Sequence, residues 1–283
     1  MNIRFDDFKV EEGIYVPEIG KTYPQDDSTR SLLSPVFTRE ETFDEHYPYL
    51  DESPKYKWNN WIGHHFVLRL VYLVNHIRNG VRFEGRENLK KYKNELSGGA
   101  ITIANHCNYL DCPAVLEAVH AKPTVRIPMY HLTFLTNVSW YLKAVGGIPV
   151  PFESMAAMKK YNEAFDEFHR RGYWFHVFPE SSRWDGYKPL RPFFKGAFTM
   201  AYKYEMPLLP CVIKFRERKG IYRLFAKKDD PLLTVVVGTP VFPDKTTARQ
   251  QDVNRMREEC FNQMLKMAGI THNTWSVVPP NEK

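Results

Sequence analysis

The chain has 283 residues, 43% of them hydrophobic, and a formal net charge of +6. This is enough apolar material for one sizeable core, and the chain is too long to depend on disulfide staples. It contains no run of about 18 apolar residues that could cross a membrane, no secretory leader pattern, and none of the zinc-finger or aromatic-basic spacings that point to nucleic acid.

The four cysteines, Cys107, Cys112, Cys211 and Cys260, form no Cys-x-x-Cys pair. They read as reduced thiols of a cytosolic protein, with no metal site. Charge is unevenly spread. Residues 1–60 carry 13 acidic and 7 basic side chains, a net of −6, and the remainder carries +12. A basic body of this kind suits anionic lipid or phosphorylated substrates. Residues 1–60, punctuated by Pro17, Pro24, Pro35, Pro48 and Pro54, read as a solvated, loop-rich extension without chemistry of its own.

Residues 61–80 read as an amphipathic helix. Ile62, Phe66, Leu70, Leu73 and Ile77 share one face, with His65, Arg69, His76 and Asn79 roughly opposite. Trp61 at one end and Arg78 at the other suit a helix lying in a membrane surface, although packing against a core would give the same pattern. Residues 81–283 form the main domain. A strand over 81–84 and a turn at Gly85 lead through a lysine-rich linker to a short apolar strand, 100–104. The run Asn105-His106-Cys107-Asn108-Tyr109-Leu110-Asp111 follows, and Pro113 then opens a helix over 113–121.

A loop leaving a strand and entering a helix is where α/β proteins place chemistry. His106 can take a proton from an attacking hydroxyl. Asp111, bonded to the other ring nitrogen, can fix its tautomer. The bland alternative is a loop histidine followed by a helix-capping aspartate.

Further along, a strand over 124–129, a helix over 132–144 and the run 148–152 come next. A helix over 153–171 follows, with Met155, Met158, Phe165 and Phe168 as its core stripe. A buried strand, 173–178, contains His176, which reads as a core histidine. Its end delivers Pro179-Glu180-Ser181-Ser182-Arg183. Arg183 can grip a phosphate through two parallel N–H groups. Ser181 and Ser182 add hydroxyl donors, and Glu180 can bind acceptor hydroxyls or hold Arg183. Lys195, near the start of a helix over 193–204, is a further candidate for an anionic group. Strands over 208–215 and 232–237 and a helix over 246–268 complete the chain, whose last dozen residues look frayed. Strands alternating with helices imply an α/β class with a mostly parallel central sheet flanked by helices.

Asn105-His106 with Asp111 resembles the first block of the glycerolipid acyltransferases, the 1-acyl-glycerol-3-phosphate acyltransferase family. Residues 81–89 are similar to the strand and turn before that block. Phe178-Pro179-Glu180-Ser181-Ser182-Arg183 resembles the family's Phe-Pro-Glu-Gly-Thr-Arg block. Phe194 to Ala197 and Leu208 to Ile213 resemble its later segments. The resemblance runs from about residue 81 to about 240. It implies O-acyl transfer from acyl-CoA or acyl-carrier protein to a lysophospholipid, with His106 as base and Asp111 as its orienting carboxylate. Glu180, Ser181, Ser182, Arg183 and Lys195 are then substrate-binding, no cofactor is needed, and the protein works at the cytoplasmic face of a membrane. At two positions where the family usually has basic residues tied to the acceptor's phosphate, this chain has Met129 and Phe152. Other lysolipids or amino-acid lipids, and a catalytically silent lipid-binding relative, remain alternatives.

Overall fold

A computed structural model describes residues 8–18, 20–32, 34–152, 154–225 and 230–279. In chain order the strands are β1 (Lys9–Val10), β2 (Arg82–Glu84), β3 (Ile101–Ile103), β4 (Ile127–Tyr130), β5 (Gly147–Val150), β6 (Phe175–Val177), β7 (Leu208–Arg216), β8 (Leu232–Val237) and β9 (Ile270–His272). The helices are α1 (Pro54–Ile62), α2 (Leu68–Asn79), α3 (Glu87–Lys91), α4 (Asp111–Ala118), α5 (Ser139–Ala144), α6 (Met155–Arg170), α7 (Gly196–Tyr204) and α8 (Arg249–Ala268).

The central sheet runs β2-β8-β7-β3-β6. Every neighbouring pair in it is parallel except β7 with β8. A bridge from Arg126 to Phe175 joins the parallel pair β4–β5 to its β6 edge. One core lies between the sheet and α6, α7 and α8, where Phe165, Phe175, Phe198 and Met264 meet. A second lies on the opposite face against α4, around Ala104, Val115, Leu209 and Val235. The expected class, α/β with a mostly parallel sheet flanked by helices, is what the chain forms. Because β3 and β6 are parallel neighbours in register, Ile103 beside Val177, both release their chains at the same end of the sheet. The first and third sequence blocks therefore emerge side by side.

Several elements differ from the sequence reading. Helix begins at Pro54, not at Trp61. Ser53 accepts a hydrogen bond from the Tyr56 N–H and Pro54 occupies the first turn, a start signal that looks like loop punctuation in the sequence. The helix then continues through one wider π-type turn, Gly63–Val67, into α2. Gly63 is required there, since a Cβ would lie 2.5 Å from the Ala144 carbonyl oxygen. The helix expected over 132–144 splits, because Thr136 is extended and separates a 3₁₀ turn, His131–Leu135, from α5.

In α6, Met155 is 87% exposed, and Ala157, Tyr161, Ala164, Phe165 and Phe168 form the inward face instead. The C-terminal segment is not frayed over its described part: β9 pairs antiparallel with β1, and Asn273 bonds both the N–H and the carbonyl of Leu190. Residues 280–283, which the sequence also reads as frayed, lie outside the described residues. The N-terminal extension is loop-rich as expected, but much of it is packed. Tyr49 is 2% exposed, Tyr23 stacks on Trp184, and the Thr38 N–H reaches the Leu135 carbonyl at 2.8 Å.

Candidate active site

β3 ends at Ile103, and three residues later His106 projects from the loop that enters α4. Asp111 is the first residue of α4 and is 1% exposed. Its Oδ2 accepts from His106 Nδ1 at 2.7 Å, from the Cys107 N–H at 3.0 Å and from the Asn108 N–H at 3.2 Å. Its Oδ1 accepts from the Cys112 N–H at 2.7 Å. Four donors and the positive end of a helix dipole all complement a carboxylate. With its proton on Nδ1, the ring presents Nε2 as a lone-pair acceptor, and no hydrogen bond reaches that nitrogen among the described residues. The His106 side chain is 21% exposed, so the nitrogen is not sealed in. The helix-cap reading and the base-orienting reading of Asp111 thus coexist, since one carboxylate serves both the loop N–H groups and the ring.

The ring is held on its face as well. Phe178 stacks on it with centroids 4.0 Å apart and planes 13° from parallel. Behind Phe178, His176 meets that ring edge-on at 4.6 Å. His176 is fully buried, its Nδ1 2.9 Å from Thr102 Oγ1. Burial pushes its pKa down to about 4, so it sits in the core as a neutral ring. Asn105 anchors the loop from the other side, its amide exchanging hydrogen bonds with the carbonyl and N–H of Ile213 on β7.

Both cysteines of the loop are poor nucleophiles. Burial, together with the nearby Asp111 carboxylate, raises the Cys107 thiol well above its ordinary range and raises Cys112 likewise. The one exposed, basic, unsaturated group of the loop is His106 Nε2, which can take a proton from a hydroxyl supplied from outside the protein.

The third block meets this loop, though not as the sequence suggests. Glu180 is 3% exposed and does not face open space. Its Oε2 accepts from the His106 N–H at 3.0 Å and from Arg191 Nη2 at 3.0 Å, and its Oε1 accepts from the Arg191 N–H at 2.9 Å. Its charged partner is Arg191 and not Arg183. Ser182 is likewise committed, with its hydroxyl donating to the Arg30 carbonyl and accepting from Arg191 Nη1 at 2.7 Å. Arg183 instead pairs with Asp185 at 2.9 Å. Ser181 is exposed and holds φ at +68°, a left-handed conformation that glycine adopts freely and serine does not. Lys195 is exposed at the N-cap position of α7.

Arg191, which the sequence reading passed over, is 1% exposed and lies over the Trp184 ring at 4.6 Å. A lone arginine between Leu190 and Pro192 carries no motif; its only sequence signal is a charge inside an apolar run. Lys188 was missed in the same way. It is buried and donates to the Ala268 carbonyl at the end of α8 at 2.9 Å, and burial lowers its pKa to about 8.

Helix α2 flanks the site through Asn75, and much of its surface is inverted in polarity. Asn75 and Asn79 are buried, Asn75 donating to the Leu110 carbonyl of the His106 loop at 3.2 Å. Phe66, Leu70, Leu73, Val74 and Ile77 face outward. Among the described residues no helix is long and apolar enough to cross a membrane.

Residues 80–214 match the family model Acyltransferase. No curated protein matches the chain. Among solved structures, a crystal structure of the 1-acyl-sn-glycerophosphate (LPA) acyltransferase PlsC from Thermotoga maritima is similar. It shares 21% sequence identity over 77% of this chain and 84% of that chain, with a TM-score of 0.48.

Proposed function

We propose, for a chain that carries an acyltransferase domain over residues 80–214, that it moves a fatty acyl group from a thioester, acyl-CoA or acyl-carrier protein, to the hydroxyl of a lysophospholipid, with 1-acyl-glycerol-3-phosphate as first acceptor. The observation that carries the reading is the 2.7 Å bond from His106 Nδ1 to Asp111 Oδ2, which leaves Nε2 free to act. The acceptor hydroxyl attacks the thioester carbonyl carbon as Nε2 takes its proton. The tetrahedral intermediate then collapses, the C–S bond breaks, and the leaving thiolate takes the proton back from the imidazolium. Asp111 stabilises that imidazolium and keeps the ring in the reactive tautomer.

The outward apolar face of α1 and α2, with Trp58 and Trp61 stacked at one end, supports docking on the cytoplasmic face of a membrane, where the lysophospholipid acceptor lies. Arg183, released from Asp185, is the residue best suited to the acceptor's phosphate. Acceptors without phosphate recognition stay open on one observation. Phe152 is 64% exposed and clusters with Tyr130 and His131 where a basic group would aid a phosphate.

The deciding experiment is a screen of labelled acyl-CoA and acyl-carrier protein against lysophosphatidic acid, other lysophospholipids and amino-acid lipids, with His106→Ala alongside. Wild-type turnover that falls by about 100-fold or more in a folded His106→Ala protein is expected. Near-normal turnover in that variant would sink the mechanism, and no turnover with any pair would leave a silent lipid-binding relative. Arg183→Lys is expected to raise the acceptor's KM with the donor's KM unchanged.

A further inference from the structure

The peptide of His106 is clamped at both ends by one loop. Its N–H donates to Glu180 Oε2 at 3.0 Å, and its carbonyl accepts from the Trp184 N–H at 3.0 Å. The next carbonyl, that of Cys107, accepts from the Gly186 N–H at 2.8 Å. The stretch 180–191 therefore acts as a jig for the histidine backbone, and Glu180 is the only side chain in it that bonds the His106 peptide.

Glu180 itself has little freedom to choose its position. A carboxylate at 3% exposure needs a partner charge, and Arg191, at 1%, supplies it. The guanidinium also spans to Ser182, bonding its hydroxyl and its carbonyl, and reaches the Ser28 carbonyl of the N-terminal segment at 3.2 Å. Trp184, whose N–H holds the His106 carbonyl, forms the platform under it. One planar cation thus ties together the residues that hold both ends of the His106 peptide.

We infer that Arg191 is a positioning residue for acyl transfer: through Glu180 and Trp184 it fixes the direction in which His106 Nε2 points. This rests on His106 being the base. Arg191 touches no reacting atom. Its fork, not its charge alone, is what the geometry uses, because a lysine reaches Glu180 or Ser182 but not Ser28, Ser182 and Glu180 together. Small displacements of a reacting group cost about 10- to 100-fold in rate.

The test measures kcat, both KM values and the thermal midpoint for Arg191→Lys, for the neutral pair Glu180→Gln with Arg191→Leu, and for His106→Ala. The pair keeps an amide oxygen to accept from the His106 N–H and leaves no buried charge. Expected is a folded Arg191→Lys protein with kcat down about 10- to 100-fold and both KM values within about twofold. The neutral pair is expected to be folded and similarly slowed. Wild-type kcat in either folded variant overturns the inference, as does a loss confined to KM. Failure of both to fold overturns it too, leaving Arg191 as a core stabiliser. If His106→Ala turns over normally, the base reading fails first. If His106→Ala is inactive and the Arg191 variants are not, only the positioning role fails.

Discussion

At the scale of single residues, the site places a left-handed serine beside buried charges. Ser181 sits at φ +68° with an exposed side chain. Ser181→Gly removes the steric cost but adds freedom to the unfolded chain, and the balance favours the folded state by about 0.5 kcal/mol. Ser181→Val is expected to go the other way by more than about 1 kcal/mol, both read from denaturant midpoints.

Lys188 makes a pH prediction. Its folded pKa is lowered to about 8 from 10.5, with burial the main cause. Between those values the unfolded chain holds the proton and the folded chain does not. This group's contribution to stability therefore rises as pH climbs from about 8 to 10.5 and is lost as pH falls through 8. Lys188→Met is expected to flatten that segment of the stability profile relative to wild type; an unchanged slope in the variant would show that Lys188 is not its source.

The element scale is where α1 and α2 become informative. The helix packs Leu68 inward with Leu116 and Ile127, yet it also buries Asn75 and Asn79 and exposes Phe66, Leu70 and Ile77, which reverses the ordinary pattern over that face. The inward asparagines have a purpose in the structure: Asn79 bonds Asn75, and Asn75 bonds the carbonyl of Leu110. The outward side has no packing partner among the described residues. Replacing Phe66 and Leu70 with Asp is expected to abolish sedimentation with anionic vesicles while leaving the thermal midpoint near wild type. A large drop in the midpoint would show instead that the face is part of the fold.

The sequence shows the stripe itself clearly, because 3.6-residue periodicity survives either orientation. It cannot show which way the stripe faces, since that depends on Ala144 and Leu110, distant in sequence. Strands β3 and β8 are legible for a related reason, being short β-branched runs bounded by glycine or proline. His106 and Asp111 were legible because both roles depend on a spacing of five residues within one loop. The Glu180–Arg191 pair was not, because its meaning lies in burial, and the ten residues between the two carry no periodicity.

On the scale of the whole molecule, two remote segments brace one loop. From one side come Tyr23, whose hydroxyl donates to the Asp185 carbonyl at 2.6 Å, and the carbonyls of Ser28 and Arg30. From the other come Asn273 on Leu190, Trp275 on the Tyr187 hydroxyl, and the Val277 carbonyl, which accepts from the Phe193 N–H. Asn273→Ala breaks its bonds to the Leu190 N–H and carbonyl together and is expected to cost on the order of 1–3 kcal/mol in urea unfolding, although position 273 lies far from His106 in sequence. A midpoint within error of wild type would refute the brace. The pairing of β1 with β9 has a consequence in time as well as in space. Translation reaches Ile270 to His272 long after Lys9 and Val10, so this pairing forms only once the strands of the central sheet, β2 to β8, have been synthesised. Nascent chains arrested before residue 270 are expected to carry every atom of the His106–Asp111 pair and yet transfer acyl groups poorly, and chains extended past His272 are expected to recover the activity.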